Sequence, residues 1–327
     1  MSSTQTVSSS PDLGSIKVGV VIPAYKCKRH ILNVLKKMPS FVSKVVVVDD
    51  DCPEGTGSFV KENFQESRAH VIFHEKNGGV GAAVKTGYRY LISQGVDILV
   101  KVDGDDQMDL SLMHKLVTPI GRGVCDYTKG NRFFYPRAIT NMPRMRIFGN
   151  AVLGFLTKIS SGYYSIFDPT NGYTAISADI LQELEISKVH DRYFFESDIL
   201  FRLNLSRARV WDIPMFPIYK DETSNLNELR VIPTFLKGHF RNFYKRLVYN
   251  YFLRDFSVGS VFLVLGALLL AFGASWSLYF WFLSVSSGLP TTTGRVMIGV
   301  LPLVLGFQLI LSFLLNDIAA EPRGPAR

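Results

Sequence analysis

Four apolar runs in the N-terminal third each stop at a polar turn: KVGVVIP at 17–23, KVVVV at 44–48, AHVIFHE at 69–75 and DILVKV at 97–102. The intervening segments 29–38, 56–66 and 80–93 read as helices. Apolar strands that alternate with amphipathic helices fold as a parallel sheet covered on both faces. Ligands of such sheets bind beyond the carboxyl ends of the strands. That places Pro23, Ala24 and Tyr25, then Asp49 to Asp51, the loop EKNGGVG, and Asp103 with Asp105 along one rim. Residues 124–228 mix shorter strands, GYTAI and VWDIPMF, with helices near 146–160 and 195–205, and are expected to complete the same domain.

The fourth run ends in DGDDQMD, which crowds Asp103, Asp105, Asp106, Gln107 and Asp109 into one turn. Such crowding costs repulsion and desolvation, and a divalent cation bound with a polyphosphate offsets both through hard oxygen ligands. The turn reads first as a metal site, although an isolated D-x-D is more often the solvated end of a strand. Asp106 and Asp109 read as helix-start or solvent residues. In the third turn, Gly78, Gly79 and Gly81 let a nucleotide approach the backbone and open a helix whose N-terminus favours anions. No G-K-[ST] ending follows, so the turn is not a P-loop.

The chain has 327 residues and a net charge of +8. Its cations cluster ahead of an apolar C-terminal third and form no base-reading pattern, which points to membrane phosphates and away from nucleic acid. Cys27, Cys52 and Cys125 make no C-x-x-C pair and fit reduced cytosolic thiols. The six histidines form no metal-ligand motif. Residues 1–15 have neither a basic nor an apolar targeting region and read as a disordered tail.

Residues 258–285 and 296–315 contain no Asp, Glu, Lys, Arg or His, and each reaches the roughly 20 residues that span a bilayer. They read as a two-helix transmembrane hairpin over 257–317, followed by a tail at 318–327. The preceding segment 229–256 reads as an amphipathic juxtamembrane helix, with Leu236, Phe240, Phe243, Leu247 and Tyr251 on one face and Lys237, Arg241 and Lys245 on another. An ordinary docked surface helix has the same pattern. Arg323 and Arg327 on this flank, against Arg295 in the opposite loop, favour a cytoplasmic domain.

VVIPAYK, VVVVDDDCPEGT, EKNGGVGAAVKTG, VDGDDQMD, KGNRF, DPTNGY, FFESDILFR and KDETSNL occur in that order. As a set over about residues 16–228 they resemble family 2 glycosyltransferases of the GT-A fold. The nearest group is the polyprenyl-phosphate sugar synthases, which includes dolichol-phosphate mannose synthase. The resemblance implies an α/β GT-A domain at 16–228 and an inverting transfer of a hexose to a polyprenyl phosphate. It also implies a nucleotide-diphosphate donor such as GDP-mannose or a UDP-hexose, and Mg2+ or Mn2+. It implies an integral membrane protein, of the bacterial inner membrane, with homo-oligomerisation left open.

Carried onto this chain, the resemblance makes Asp103 and Asp105 metal ligands with Gln107 in support. Pro23, Ala24, Tyr25, Asn77, Gly79 and Gly104 join them in holding the donor. Asp50, or its neighbour Asp49, accepts from the nucleobase, and Tyr25 is equally a packing aromatic. Arg132 and Arg146, or Arg144 beside it, hold the acceptor phosphate. Asp168 and Asn171 to Tyr173 line the sugar pocket or form a turn. Asp198 positions sugar or acceptor, acts as a base or caps a helix, and Lys220 and Ser224 lie in a closing loop. Lys26 and Cys52 depart from the family pattern. Two other readings remain: transfer to a hydroxyl with Asp198 as base, and a non-catalytic nucleotide-sugar-binding subunit.

Overall fold

The computed structural model describes residues 14–135, 144–216 and 228–323. Most of the expected tail, Lys220, Ser224, Arg327 and the side chains of Arg144 and Arg146 lie outside the described residues. Among the described residues, β1 Val18–Ala24, β2 Val42–Asp49, β3 Ala69–Phe73, β4 Ile98–Lys101, β5 Tyr127–Asn131, β6 Thr174–Ser177 and β7 Val210–Pro214 form one sheet in the order β3-β2-β1-β4-β6-β5-β7. β1 to β4 pair in parallel, as do β5 and β7, and β6 runs antiparallel to β4 and β5.

The strands alternate their faces with period two. Val20, Ile22, Val45 and Val47 pack under α1 Lys28–Lys36, α2 Thr56–Asn63 and α4 Met113–Gly121. Val21, Val46, Val48 and Leu99 pack under α3 Val80–Ser93, α6 Ala178–Glu183 and α7 Phe195–Leu205. The pattern missed β5, whose letters YTKGN are polar although all five residues are buried. α3 crosses the sheet closely at Gly87, where a Cβ would overlap the Val21 side chain.

Asp212 of β7 is a charge-sensitive point of this core. Its Oδ2 accepts from the Asn131 amide at 2.8 Å and the Phe167 backbone N–H at 2.9 Å, while its Oδ1 is buried without a hydrogen-bond partner. Burial pushes its pKa up to about 6.

α5 Arg144–Ser161 is the helix after β5, and α8 Glu228–Val248 is the helix after β7. The first compact unit runs to Phe243 and takes in the residues from Pro322 onward, and Tyr244–Glu321 form the second. In the first unit α8 turns its polar residues inward. Gly238 meets the Phe194 ring, His239 Nδ1 lies 2.8 Å from Ser160 Oγ, and the Asn242 amide donates to Asp198 at 2.8 Å. Ile232, Leu236 and Phe240 face outward beside Lys237 and Arg241.

In the second unit, α9 Val258–Ser287 and α10 Thr293–Ala319 pack as a hairpin, each long and apolar enough to cross a membrane. Gly266 and Gly273 on α9 face Gly306 and Gly299 on α10 so closely that a Cβ at any of the four would crowd the other helix. The Arg246 guanidinium donates to Asp317 at 2.6 and 2.8 Å, and the Tyr251 hydroxyl joins at 2.7 Å. Tyr251 is therefore buried and leaves the apolar stripe expected for it, because Tyr249–Arg254 form a wider π-helical turn that shifts the register.

Gly87→Val forces α3 off β1 and lowers stability by about 1–3 kcal/mol, read as a lower melting temperature of the detergent-solubilised protein. Between the unfolded carboxyl value near 4 and the folded value of about 6, folded Asp212 binds more protons than the unfolded chain, so its contribution is lost as pH rises through about 6. Asp212→Asn removes that loss. The melting temperature of the variant relative to the parent should rise from pH 4 to pH 7, and a constant difference would show that Asp212 titrates normally.

Candidate active site

Because β1, β2, β4 and β5 all point the same way, their carboxyl ends share one rim. β6 runs the other way, so the segment DPTNGY enters the sheet at that same rim.

The turn after β1 is stitched to its neighbours. The Asp50 N–H donates to the Ala24 carbonyl at 3.1 Å, and the Lys26 N–H donates to Cys52 Sγ at 3.1 Å. Gly104 lies against Cys27, where a Cβ would stand 2.7 Å from Sγ, so the first turn also touches the acidic one. Tyr25 is exposed, with the Lys26 ammonium 5.5 Å from its ring centroid.

The three aspartates after β2 divide their work. Asp49 is buried and accepts the N–H groups of Cys52 and Gly57, which fixes the start of α2. Asp50 is buried and accepts from His74 Nδ1 at 2.7 Å and the N–H groups of Gly78 and Gly79 at 2.9 and 2.7 Å. The Asn77 amide adds a bond to the Asp50 carbonyl at 3.0 Å. Asp51 is exposed, with a left-handed backbone.

The glycine turn differs from the expectation of an open anion site. The Ala82 N–H donates to the Asp191 carbonyl at 3.0 Å, and Cβ atoms at Gly79 and Gly81 would collide with residues 190–192. These glycines admit a neighbouring protein backbone, and the Gly78 and Gly79 N–H groups are already bound to Asp50.

In the acidic turn Asp103, Asp105 and Gln107 are partly exposed, and Asp105 Oδ1 accepts the Gln107 N–H at 3.1 Å. Asp109 caps the short turn Leu110–Leu112 through the Ser111 N–H at 3.0 Å. Asp106 is a correction. It is neither a helix start nor a solvent residue, but buried with a left-handed backbone and paired with the Lys37 ammonium at 2.8 and 2.9 Å.

Beneath this turn lies a lysine that sequence reasoning passed over as part of a strand. The Lys101 ammonium is buried and lies 2.8 Å from Asp103 Oδ1 and 3.3 Å from Glu196 Oε1. Burial works against its charge, and Asp103 and Glu196 overcome that, so its pKa stands above the ordinary lysine value. Nearby on β5, burial pulls the Lys129 pKa down to about 8, and its ammonium donates to the Asn171 carbonyl.

Arg132 and Asp168, expected in different roles, form one bidentate pair. Arg132 Nε and Nη2 donate to Asp168 at 2.8 and 3.0 Å. Asp168 is fully buried, so it orients Arg132 and does not offer a free carboxylate to a sugar.

Asp198 requires the largest correction. It is fully buried on α7 and accepts from the His190 N–H at 2.9 Å, the Asn242 amide at 2.8 Å, and Arg202 and Arg241 at 3.4 Å. A base must reach the acceptor's proton. Asp198 ties α8 to α7 instead, and Glu196 is the FFESD carboxylate that meets the rim.

Among the described residues, no three His, Cys, Asp or Glu side chains gather into a self-sufficient metal cage. Two carboxylates and an amide oxygen fit a cation that completes its shell with phosphate and water, as Mg2+ and Mn2+ do beside nucleotides.

The model for glycosyl transferase family 2 matches residues 19–185, from β1 to just beyond α6. The UDP-N-acetylglucosamine–dolichyl-phosphate N-acetylglucosaminyltransferase of Methanococcus voltae is 29% identical over 216 residues, covering 62% of this chain and 86% of that protein. The polyprenol monophosphomannose synthase of Mycolicibacterium smegmatis is 25% identical over 201 residues, covering 60% and 75%. Mannosyl-3-phosphoglycerate synthase from Rubrobacter xylanophilus shares the fold with a TM-score of 0.54 at 15% identity, over 74% of this chain and 77% of that one. Glucosyl-3-phosphoglycerate synthase from Mycobacterium tuberculosis, solved with Mn2+, UDP-glucose and phosphoglyceric acid, gives 0.51 at 18% identity over 71% and 80%. The GT-A sheet and the family match together make this chain a glycosyltransferase that belongs to glycosyl transferase family 2.

Proposed function

We propose that this glycosyltransferase moves a hexose from a nucleotide-diphosphate sugar to a polyprenyl phosphate at the cytoplasmic face of a membrane, with inversion and with Mg2+ or Mn2+. The observation that carries the reading is an apolar surface in the same unit as the rim. Phe148, Val152 and Phe155 form an exposed stripe on α5, with Phe148 67% and Phe155 62% accessible. Exposed Phe134 follows Arg132 closely in the chain, and exposed Phe167 stacks edge-on with Phe133. A run of exposed aromatics beside an arginine suits an acceptor with an anionic head and a hydrocarbon tail.

The state of the carboxylates supports a phosphate acceptor over a hydroxyl. A phosphate oxygen is already ionised and needs no strong base, and both FFESD carboxylates are engaged, Glu196 by Lys101 and Asp198 by four donors. In the reaction the acceptor oxygen bonds to the anomeric carbon, and the bond from that carbon to the diphosphate oxygen breaks. The leaving nucleoside diphosphate takes the electron pair. Asp103 and Asp105, with Gln107, would hold the cation, which supplies charge stabilisation to the leaving diphosphate. Arg132, steadied by Asp168, would hold the acceptor phosphate, and Asp50 and Tyr25 border the nucleoside. The two spans and the outward apolar and cationic stripes of α8 would keep the enzyme on the membrane, with Lys237, Arg241 and Lys245 on the cytoplasmic side.

The test is transfer of radiolabelled sugar from a panel of nucleotide sugars into the organic-extractable fraction by the full-length protein in detergent, with polyprenyl phosphate. Label should appear only when lipid phosphate and Mg2+ or Mn2+ are both present, and label on a hydroxyl acceptor instead would overturn the assignment. Asp105→Ala should lower the transfer rate by about 100-fold or more. Asp198→Asn should lower the melting temperature while leaving the pH profile of transfer unchanged, whereas loss of the ascending limb on the acidic side of that profile would restore Asp198 as a base.

A further inference from the structure

The acidic turn carries its own counter-ion. Lys101 is 1% exposed, and its ammonium lies between Asp103, whose side chain is 34% exposed, and Glu196, at 14%. Gly172 seals the cluster from the loop that leads into β6, since a Cβ there would overlap both the ammonium and Asp103 Oδ2. The arrangement is therefore built by three separate pieces of chain: the end of β4 with the acidic turn that follows it, the entry to β6 and the first turn of α7. A lysine buried this deeply persists only when paired, and here each partner has a different second duty. Asp103 is the first carboxylate of the turn. Glu196 is on the helix that Asp198 fastens to α8.

We propose that Lys101 sets which species the acidic turn accepts: its fixed positive charge holds down the affinity for a free divalent cation and raises the affinity for a diphosphate, so that cation and nucleotide arrive together. This rests on the reading of the turn as the cation and diphosphate site. The physical reason is Coulombic. A second cation entering beside Asp103 shares that carboxylate with Lys101 and is repelled by it, whereas a diphosphate relieves the repulsion. Glu196 acts in the opposite sense, because it partly neutralises the lysine. Lys101 and Glu196 are on this account positioning residues that tune the charge of the site.

The two charges can be removed one at a time, and the signs of the effects are opposite. In the full-length protein in detergent, Mn2+ binding without nucleotide is read by electron paramagnetic resonance. Binding of UDP and GDP in the presence of a chelator is read by calorimetry. Lys101→Met should tighten free Mn2+ binding by about 10-fold and weaken metal-free nucleotide binding by about 10-fold. Glu196→Gln should shift both in the reverse direction, and Lys101→Arg should stay near the parent. A variant that loses both ligands has lost structure, and if Lys101→Met and Glu196→Gln both do so, or neither moves either ligand, the proposal is overturned. A parent protein that binds neither Mn2+ nor nucleotide, alone or together, overturns the site assignment itself.

Discussion

The antiparallel strand β6 is the constraint on which the site depends. Inserted between β4 and β5, it begins where they end, so the loop that leads into it must arrive at the rim that already holds the acidic turn and Arg132. That arrival brings Asp168 under Arg132, Asn171 over Lys129 and Gly172 against Lys101 and Asp103. With a parallel strand in that position, the same loop would enter at the opposite edge. The rim would then keep its carboxylates but lose the groups that orient their neighbours.

Much of the left half of this sheet was legible in the chain. β1 to β4 and α1 to α3 follow the alternation of apolar runs and helical segments, because strands buried on both faces leave a continuous apolar signature. The right half was less so. β5 is fully buried, yet Thr128, Lys129 and Asn131 satisfy their polar groups through partners far off in sequence, including Leu116, Asn171 and Asp212. Such a strand is buried in place and polar in letters. Periodicity reads letters.

The site shows the same division. The crowding of Asp103 and Asp105 into a turn is local and was visible, but the partner of each carboxylate is not. VVDDD does not say that one aspartate holds α2 and the next holds the glycine turn. Gly79 and Gly81 have the composition of a phosphate loop and the packing of a crossing point for residues 190–192, since close approach by any backbone demands the same lack of a Cβ. Lys101 was hidden because DILVKV reads as one apolar strand, in which its lysine is a charge enclosed by two acids.

The pair Glu196 and Asp198 shows how one short segment can serve two masters. Residues two apart on a helix point roughly 200° from one another. Glu196 therefore meets Lys101 at the rim while Asp198 meets Asn242 and Arg241 on the helix whose outer face is apolar and cationic. Asp198 also holds the His190 N–H, and residues 190–192 press on the glycine turn. The stretch from His190 to Asp198 thus packs α8 on one side and both the glycine turn and Lys101, beneath the acidic turn, on the other. α8 and the rim are thus joined within this unit by buried, hydrogen-bonded groups on one short helix turn, and a buried charge that loses its partners costs more than a small shift of the backbone.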